Sequence, residues 1–313
     1  MVELEDGIRR VTFALPLGID HVHCYLLASS EGGWTVVDTG LGLPDAGDRW
    51  AQTLARLEGP VGRIVVTHFH PDHVGASADL AGLTGAPVHQ GADDYAQCLR
   101  TWGEQRSDER MHEYLRRHGT PEADVSSFRE EAAAFVHLVR FARDPILLSP
   151  GQKLDGWELL HLPGHADGHI ALLRDGILVA GDTLLGTITP NVGLYPDSRP
   201  DPLADYLDSL ERIAAIEPRL ALPGHGEPIR DPAGRARELI EHHALRLEQT
   251  TAALDGAPRT AYDVSLTLFP EPLSPTLRRF ALAETRAHLE YLVARGGARR
   301  VDEDEHVSYL APR

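Results

Sequence analysis

A cluster of metal-ligand residue types directly follows a predicted buried strand. The apolar run at residues 63–67 predicts this strand, and the residues after it are His68-Phe69-His70-Pro71-Asp72-His73. His68 and His70 are two positions apart, so they can share one face of an extended segment. Asp72 and His73 fall at the start of the next predicted helix, where Asp is also a natural cap. Because a metal site needs several imidazole and carboxylate groups on a rigid base, the pattern predicts such a site at the end of this strand.

Three more residues of the same types each follow another predicted strand and stand next to a glycine: His165, Asp182 and His225. The strands in question end near residues 162, 180 and 222. Each residue alone is ordinary turn chemistry. Together they share one placement, at the carboxyl end of a strand beside a glycine that allows close backbone approach. We therefore expect all three to join the residues of the first cluster.

The motif at residues 67–73, followed by these three residues, resembles the metallo-β-lactamase superfamily. Within it, the chain is most similar to the glyoxalase-II-like and lactamase-like hydrolases. The resemblance covers about residues 8–230 and implies an α/β fold, an αββα sandwich with two metals at one edge. By position, it implies a first metal on His68, His70 and His165. It also implies a second metal on Asp72, His73 and His225, with Asp182 bridging both.

Residues 37–40, Val-Asp-Thr-Gly, also match the family, and the resemblance implies that Asp38 supports the ligands from behind. True β-lactamases of this superfamily lack a bridging carboxylate at the position of Asp182. The flavodiiron branch has Glu where His70 stands, and the persulfide dioxygenases use a single iron with fewer of these ligands. The complete set here favours a hydrolase with two metals.

The chain is predicted to have two domains. Residues 1–235 would form the metallo-β-lactamase domain, with a helical insertion at about 91–144 that could cover a site built from strand ends. Residues 236–313, with helices followed by a hairpin, resemble the small winged-helix appendage of the lactamase-like subfamily that includes endoribonucleases. Several arginines there could contact phosphates or an anionic thiol carrier, or could lie on solvated helix faces: Arg278, Arg279, Arg286, Arg295, Arg299 and Arg300.

Composition limits the partners. The net charge is −17, which disfavours binding of free polyanions, so nucleic acid is an unlikely partner. The first residues are acidic and lack the apolar core of a signal peptide, and no apolar run approaches the roughly 20 residues that span a bilayer. These features predict a cytoplasmic protein without membrane contact that acts on a small molecule. The insertion is compatible with a lid or with the surface of a homodimer.

The predicted reaction is hydrolysis of a thioester, ester or lactone by attack of a metal-bridging hydroxide. Zinc fits the ligand types best, although iron or manganese could occupy the same residues. Asp72 and Asp182 are expected to orient the hydroxide, and Tyr195 to donate a hydrogen bond to a developing oxyanion. His169 is expected to pack or to orient a ligand rather than to bind metal.

Three other functions stay open at this point. A phosphodiesterase or endoribonuclease of the same fold is suggested by the C-terminal region, although the acidic charge argues against it. A mono-iron persulfide dioxygenase would leave the second group of ligands unexplained. A non-catalytic nucleic-acid-binding or scaffold protein would be expected to have lost some of the ligands, and all are present.

Overall fold

A sheet of seven strands organises the first half of the chain. The structure is a computed structural model that describes residues 1–5, 7–16, 18–254, 256–303 and 305–312. Its strands, which lie in sequence order, are β1 (Val2–Glu5), β2 (Ile8–Ala14), β3 (His21–Ala28), β4 (Trp34–Val37), β5 (Val61–Val66), β6 (Val88–Gly91) and β7 (Ile146–Leu148). Neighbouring strands from β1 to β4 are antiparallel, and those from β4 to β7 are parallel.

A second sheet of five strands packs face to face against the first. Its spatial order is β12-β11-β10-β9-β8, with β11 and β12 parallel. Its strands are β8 (Lys153–Leu154), β9 (Trp157–His161), β10 (Ile170–Arg174), β11 (Ile177–Gly181) and β12 (Leu220–Pro223). Buried side chains from both sheets form one apolar layer, in which Tyr25 and Val65 meet Trp157, Leu172 and Val179.

Helices cover the outer faces of both sheets. On the first sheet, Trp50 and Leu80 belong to the same apolar cluster as Leu26 and Ile64 of the strands. The helices of this half are α1 (Ala46–Leu54), α2 (Pro71–Val74), α3 (Ser77–Thr84), α4 (Ala92–Thr101), α5 (Asp108–Arg117) and α6 (Glu122–Val136). The second sheet is covered by α7 (Pro202–Ile216) and α8 (Pro232–Ala252). The predicted αββα sandwich is confirmed.

Three helices of the second half begin with the same local chemistry. A short polar side chain accepts a hydrogen bond from a main-chain N–H of the first turn, and proline occupies the next position. Asp201 accepts from Ala204 in this way, and Asp231 accepts from Gly234. Proline fits the first helical position because its missing N–H would have no partner there.

The C-terminal segment follows the order helix, strand, helix, helix and hairpin. After α8 come β13 (Arg259–Thr260), α9 (Ala261–Leu268), α10 (Pro275–Ala294), β14 (Arg299–Asp302) and β15 (Val307–Leu310), and the three strands form one sheet. Its apolar core also takes in side chains of the insertion, since Leu115 and Phe128 share a cluster with Leu254, Leu282 and Tyr309. Helix α8 runs through the predicted boundary at residue 235, and the division into two domains stays a prediction.

Some elements differ from those that the sequence pattern predicts. Strands β1, β7 and β13 were not predicted, because each is short and partly exposed. The pattern predicts one alanine-rich helix from the motif to about residue 83, whereas the structure has two, since the Ala76 N–H bonds to the Gly40 carbonyl and interrupts the helical ladder. Among the described residues, no helix is both long and apolar enough to cross a membrane.

Candidate metal centre

The seven predicted metal ligands lie together at one edge of the sandwich. His68 and His70 follow β5, Asp72 and His73 lie in the short helix α2, and the other three follow β9, β11 and β12: His165, Asp182 and His225. The carboxyl ends of parallel strands meet at one edge of a sheet, so residues far apart in sequence converge there. The structure thus brings the seven predicted residues together at this edge.

Three histidine nitrogens form the first group. His68 Nε2 lies 3.0 Å from His70 Nδ1 and 3.3 Å from His165 Nε2. His68 is fully buried, His70 is half buried, and the side chain of His165 is 7% exposed. The group is therefore open to solvent mainly on the side of His70.

Asp182 lies between this group and the second one. Its Oδ1 is 3.4 Å from His73 Nε2, and its Oδ2 is 3.2 Å from His225 Nε2 and 3.8 Å from His165 Nε2. Asp72 Oδ2 completes the second group at 3.3 Å from His225 Nε2. One carboxylate thus contacts histidines of both groups, which is the position expected of a bridging ligand.

Side chains orient the rings that follow β5. Asp38 Oδ2 lies 2.8 Å from His73 Nδ1 and also accepts the Thr67 hydroxyl, while its Oδ1 accepts the Thr67 N–H. Because the Thr67 hydroxyl donates to Asp38, its oxygen accepts from His68 Nδ1 at 3.0 Å. Both rings therefore carry their proton on Nδ1 and present Nε2 to the site. The supporting role expected for Asp38 agrees with this geometry.

Main-chain carbonyls orient the rings of the second half. His165 Nδ1 donates to the Asn191 carbonyl at 2.8 Å, and His225 Nδ1 donates to the His21 carbonyl at 2.6 Å. Hydrogen bonds of this kind fix the tautomer of a metal-binding histidine and direct its other nitrogen toward the metal. Each of these rings also presents Nε2 to the centre of the site.

The donor set fits a pair of cations. With their protons on Nδ1, His68 and His165 face each other with unprotonated nitrogens 3.3 Å apart, an arrangement that a shared cation would stabilise. His73 Nε2 and Asp182 Oδ1 are buried without a hydrogen-bond partner among the described residues. Buried polar atoms without partners are costly, and metal coordination would satisfy both. Imidazole nitrogen and carboxylate oxygen are suitable ligands for zinc, iron or manganese.

The two groups of ligands differ in the pKa values of their histidines. Burial, followed by the neighbouring His165, lowers the pKa of His70 to about 3. Burial also opposes charge on His225, but Asp182 and Asp72 outweigh it and raise the pKa of His225 to about 10. The first group therefore presents neutral imidazoles, whereas the two carboxylates of the second group favour positive charge there, which a second cation would supply.

Two residues from the insertion hold the peptide between the first two ligands, and neither was predicted. The Phe69 N–H donates to Asp94 Oδ1 at 2.8 Å, and the Phe69 carbonyl accepts from Trp102 Nε1 at 2.8 Å. Asp94 is completely buried at the start of α4 and also accepts from Gln90. Because the N–H and the carbonyl of Phe69 belong to the two successive peptide groups between His68 and His70, these bonds fix the backbone that carries both ligands.

Two further predicted residues differ in where they lie. His169 accepts the Asp182 N–H at 3.2 Å through Nε2, so it supports the backbone of a ligand, as expected. Tyr195 is half buried, with its ring 6.4 Å from that of Tyr114. No hydrogen bond or ring contact joins it to the predicted ligands in the described part of the chain. Its role as an oxyanion donor stays a prediction.

Comparison with known protein families agrees with this geometry. The sequence pattern of the metallo-beta-lactamase superfamily matches residues 17–225, which include every predicted ligand. The chain belongs to the metallo-β-lactamase superfamily. A second pattern, that of the metallo-beta-lactamase-like C-terminal domain, matches residues 247–311 and so accounts for the helices and hairpin at the end of the chain.

Two similar proteins match nearly the whole chain, and a third matches about half of it. A metallo-beta-lactamase family protein of known structure from Thermus thermophilus, TTHA1429, is 38% identical with a TM-score of 0.85, covering 99% of this chain and 100% of its own. The probable metallo-hydrolase YqjP of Bacillus subtilis strain 168 is 28% identical and covers 92% of this chain and 93% of its own. The hydroxyacylglutathione hydrolase GloC of Haemophilus influenzae is 29% identical over 54% of this chain and 70% of its own. The chain is thus a metal-dependent hydrolase of this superfamily.

Proposed function

We propose that this chain hydrolyses a thioester, ester or lactone with two divalent metal ions bound at the candidate centre. The observation that carries the proposal is the position of Asp182, which contacts His165 of one group and both His73 and His225 of the other. A pair of bound metals would supply a nucleophile near neutral pH by lowering the pKa of water, and would neutralise charge on the leaving group.

The predicted ligands differ in burial, and this difference separates the floor of the site from its accessible side. His68, His73, Asp182 and His225 are buried and form the floor of the site. The half-buried side of the site, with His70, Asp72 and His165, is where a substrate can approach. Asp72 and Asp182 are then placed to accept a proton or hydrogen bond from the attacking water, which would hold it in line with the substrate carbonyl.

The comparisons favour an acyl substrate. One relative is named as a hydroxyacylglutathione hydrolase, and that name is the reason to propose an acyl substrate for this chain. The phosphodiesterase alternative shares the same donor set, so substrate turnover must decide between the two. A mono-iron dioxygenase would leave Asp72, His73 and His225 without a cation, and these three ligand atoms lie close enough together to hold one.

The deciding experiment compares hydrolysis of an acyl thioester with that of an activated phosphodiester. Protein reloaded with zinc, iron or manganese is assayed beside Asp182→Ala, with the exposed Asp208→Ala as a matched control. We expect thioester turnover, with kcat/KM falling on the order of 10³-fold or more in Asp182→Ala, because metal charge stabilisation is worth several kcal/mol. Asp182→Ala should also retain less metal by elemental analysis.

Two results would contradict the proposal. Phosphodiester turnover without thioester turnover would move the chain to the alternative function. Full rate and two retained metals in Asp182→Ala would refute the bridging role of that residue.

A further inference from the structure

An open cavity lies between the insertion and the C-terminal segment, and none of the residues that line it belongs to the candidate metal centre. Its volume is about 370 Å³, and arginines from three elements line it. Arg110 and Arg117 come from α5, Arg286 from α10 and Arg300 from β14. Glu113 is the carboxylate among its lining residues. In a chain with a net charge of −17, four arginines around one cavity are a local concentration of positive side chains.

The arginines differ in how firmly they are paired. Arg110 pairs with Asp197 at 2.9 Å, and both side chains are more than one third exposed. Arg117 and Arg300 share Asp302, at 3.4 and 2.7 Å, and Arg300 also pairs with Glu290. Exposed ion pairs contribute about 0–1 kcal/mol, so an entering anion can compete for the two guanidinium groups on α5.

Arg286 has a different environment at the inner side of the cavity. Among the described residues it has no carboxylate partner, and its Nη1 donates to the Leu194 carbonyl at 3.2 Å. Its guanidinium lies 5.0 Å from the centre of the Tyr114 ring. Its charge is therefore balanced by a carbonyl and an aromatic ring alone, which leaves it available to a ligand.

His118 is a buried histidine at the wall of the cavity. It is 3% exposed and lines the cavity beside Tyr114, and its Nδ1 has no hydrogen-bond partner among the described residues. Burial is the main cause that lowers the pKa of His118 to about 2, and the charges of Arg286, Arg300 and Arg117 act in the same direction against that of Asp302. His118 therefore stays neutral, and the positive charge at the cavity comes from the arginines.

One loop connects the cavity with the candidate metal centre. The Asn191 carbonyl accepts from His165, and three residues later the Leu194 carbonyl accepts from Arg286. Three residues span at most about 11 Å, which places Arg286 within roughly 17 Å of His165. An extended small molecule with an anionic group at one end can cover such a distance.

We infer that this cavity binds an anionic group of the substrate, a phosphate or carboxylate remote from the bond that is hydrolysed. The presence of an anion site follows from the cavity itself, whereas its assignment to the substrate rests on the proposed function. The shared chemistry is a multiply charged oxyanion held by guanidinium groups, which bind such oxygens in a bidentate manner.

The first test measures binding without catalysis. Inorganic pyrophosphate is titrated calorimetrically into the metal-free Asp182→Ala protein, so that it cannot bind to active-site metals. In that background, Arg117→Gln should weaken binding about threefold to tenfold, because its ion pair with Asp302 competes for the guanidinium group. Arg286→Gln should weaken it about tenfold or more, because Arg286 has no carboxylate partner among the described residues and a hydrogen bond to a charged group is stronger than a neutral one. Arg237→Gln, an exposed arginine on α8 with a 3.9 Å pair to Glu217, is the matched control and should bind as the parent does.

The second test measures substrate preference. Two thioesters with the same acyl group are compared, one on a thiol that carries a phosphate and one on a neutral thiol. We expect the charged substrate to have the higher kcat/KM, and Arg117→Gln to reduce that preference about threefold to tenfold through a higher KM for the charged substrate. Because Arg117 is exposed and makes one 3.4 Å ion pair, its replacement should not disturb the fold.

The outcomes separate the two proposals. Equal pyrophosphate binding by the arginine variants and the control, or no saturable binding, overturns the anion site. Arginine-dependent binding without any preference between the two thioesters overturns the assignment to the substrate. If neither thioester is hydrolysed, the proposed function fails while the pyrophosphate result still decides whether the cavity is an anion site.

Discussion

The two halves of the candidate metal centre are held by different chemistry. In the half that follows β5, side chains orient the rings: Asp38 holds His73, and Thr67 holds His68. In the other half, main-chain carbonyls hold His165 and His225. A carbonyl is retained in every point substitution, whereas a carboxylate is not. We therefore expect the first half to be sensitive to side-chain replacement and the second to changes that move the backbone.

The largest effect in this comparison is expected from Gly224→Ala, next to His225 in the second half. An added Cβ would lie 2.3 Å from Asp182 Oδ1 and 2.6 Å from His73 Cε1, so the bridging carboxylate or His73 must move. We expect loss of bound metal by elemental analysis and a fall in activity on the order of 10²–10³-fold. Gly82→Ala in α3, where an added Cβ meets nothing within 4 Å, is the control. Full metal content in Gly224→Ala would show that this turn can relax.

A smaller loss is expected from Asp38→Asn in the first half. Asp38 has a φ of 61°, a left-handed conformation that Asn also tolerates, so the substitution changes charge and hydrogen bonding without adding backbone strain. Loss of a residue that supports a metal ligand typically costs 10–100-fold in metal affinity or activity. Competition with a chelator measures this affinity. Asp175→Asn, at an exposed residue with a φ of 51°, controls for the backbone conformation and should leave the affinity unchanged.

A weaker effect is expected from Trp102→Phe, which removes the hydrogen bond to the Phe69 carbonyl. Such a bond contributes about 1 kcal/mol, so the affinity for the metal next to His68 and His70 should fall roughly fivefold. Trp34→Phe is a matched control, because Trp34 Nε1 makes a 2.9 Å bond to the Glu58 carbonyl on another part of the sheet. Equal affinities in the two variants would mean that the Phe69 peptide is fixed without Trp102.

The contrast between side-chain and main-chain support also explains which residues of the site the sequence could predict. The ligands were predictable because four of them occur within six positions and the other three follow glycine at strand ends. Asp94 and Trp102 were not, since they lie 25 and 33 residues from Phe69 and reach it through the packing of α4. The carbonyls of His21 and Asn191 have no signature in sequence, because any residue would supply them.

The elements of the fold also differ in how well the sequence predicts them. The sequence pattern predicts a helix at about residues 202–216, and α7 has these bounds, with Asp201 and Pro202 at its start. Strand β7 has two of its three residues exposed, so alternation gave no sign of it. The shared core of the insertion and the C-terminal segment depends on contacts between Leu115 and residues such as Leu282, far apart in sequence, which local patterns do not encode.

The smallest effect on the site is expected from Glu284→Gln on α10. Glu284 Oε2 accepts from Asn191 Nδ2 at 2.9 Å, and the Asn191 carbonyl in turn accepts from His165. A glutamine oxygen can accept the same bond, so metal affinity should stay within twofold of the parent. A tenfold loss would show that His165 depends on a side chain after all, and the contrast between the two halves would fail.

The same substitution has a pH signature in stability. Burial raises the pKa of Glu284 from 4.5 to about 6, so the native state favours the protonated carboxyl. This stabilisation is fully present below pH 4.5 and is lost as the pH rises through 6, at a cost of about 2 kcal/mol. Urea unfolding of the metal-free proteins should therefore show Glu284→Gln gaining about that much relative to the parent between pH 4.5 and 7.5. Since all other titrating groups are common to both proteins, a constant difference over this range would mean that folding leaves the pKa of Glu284 unchanged.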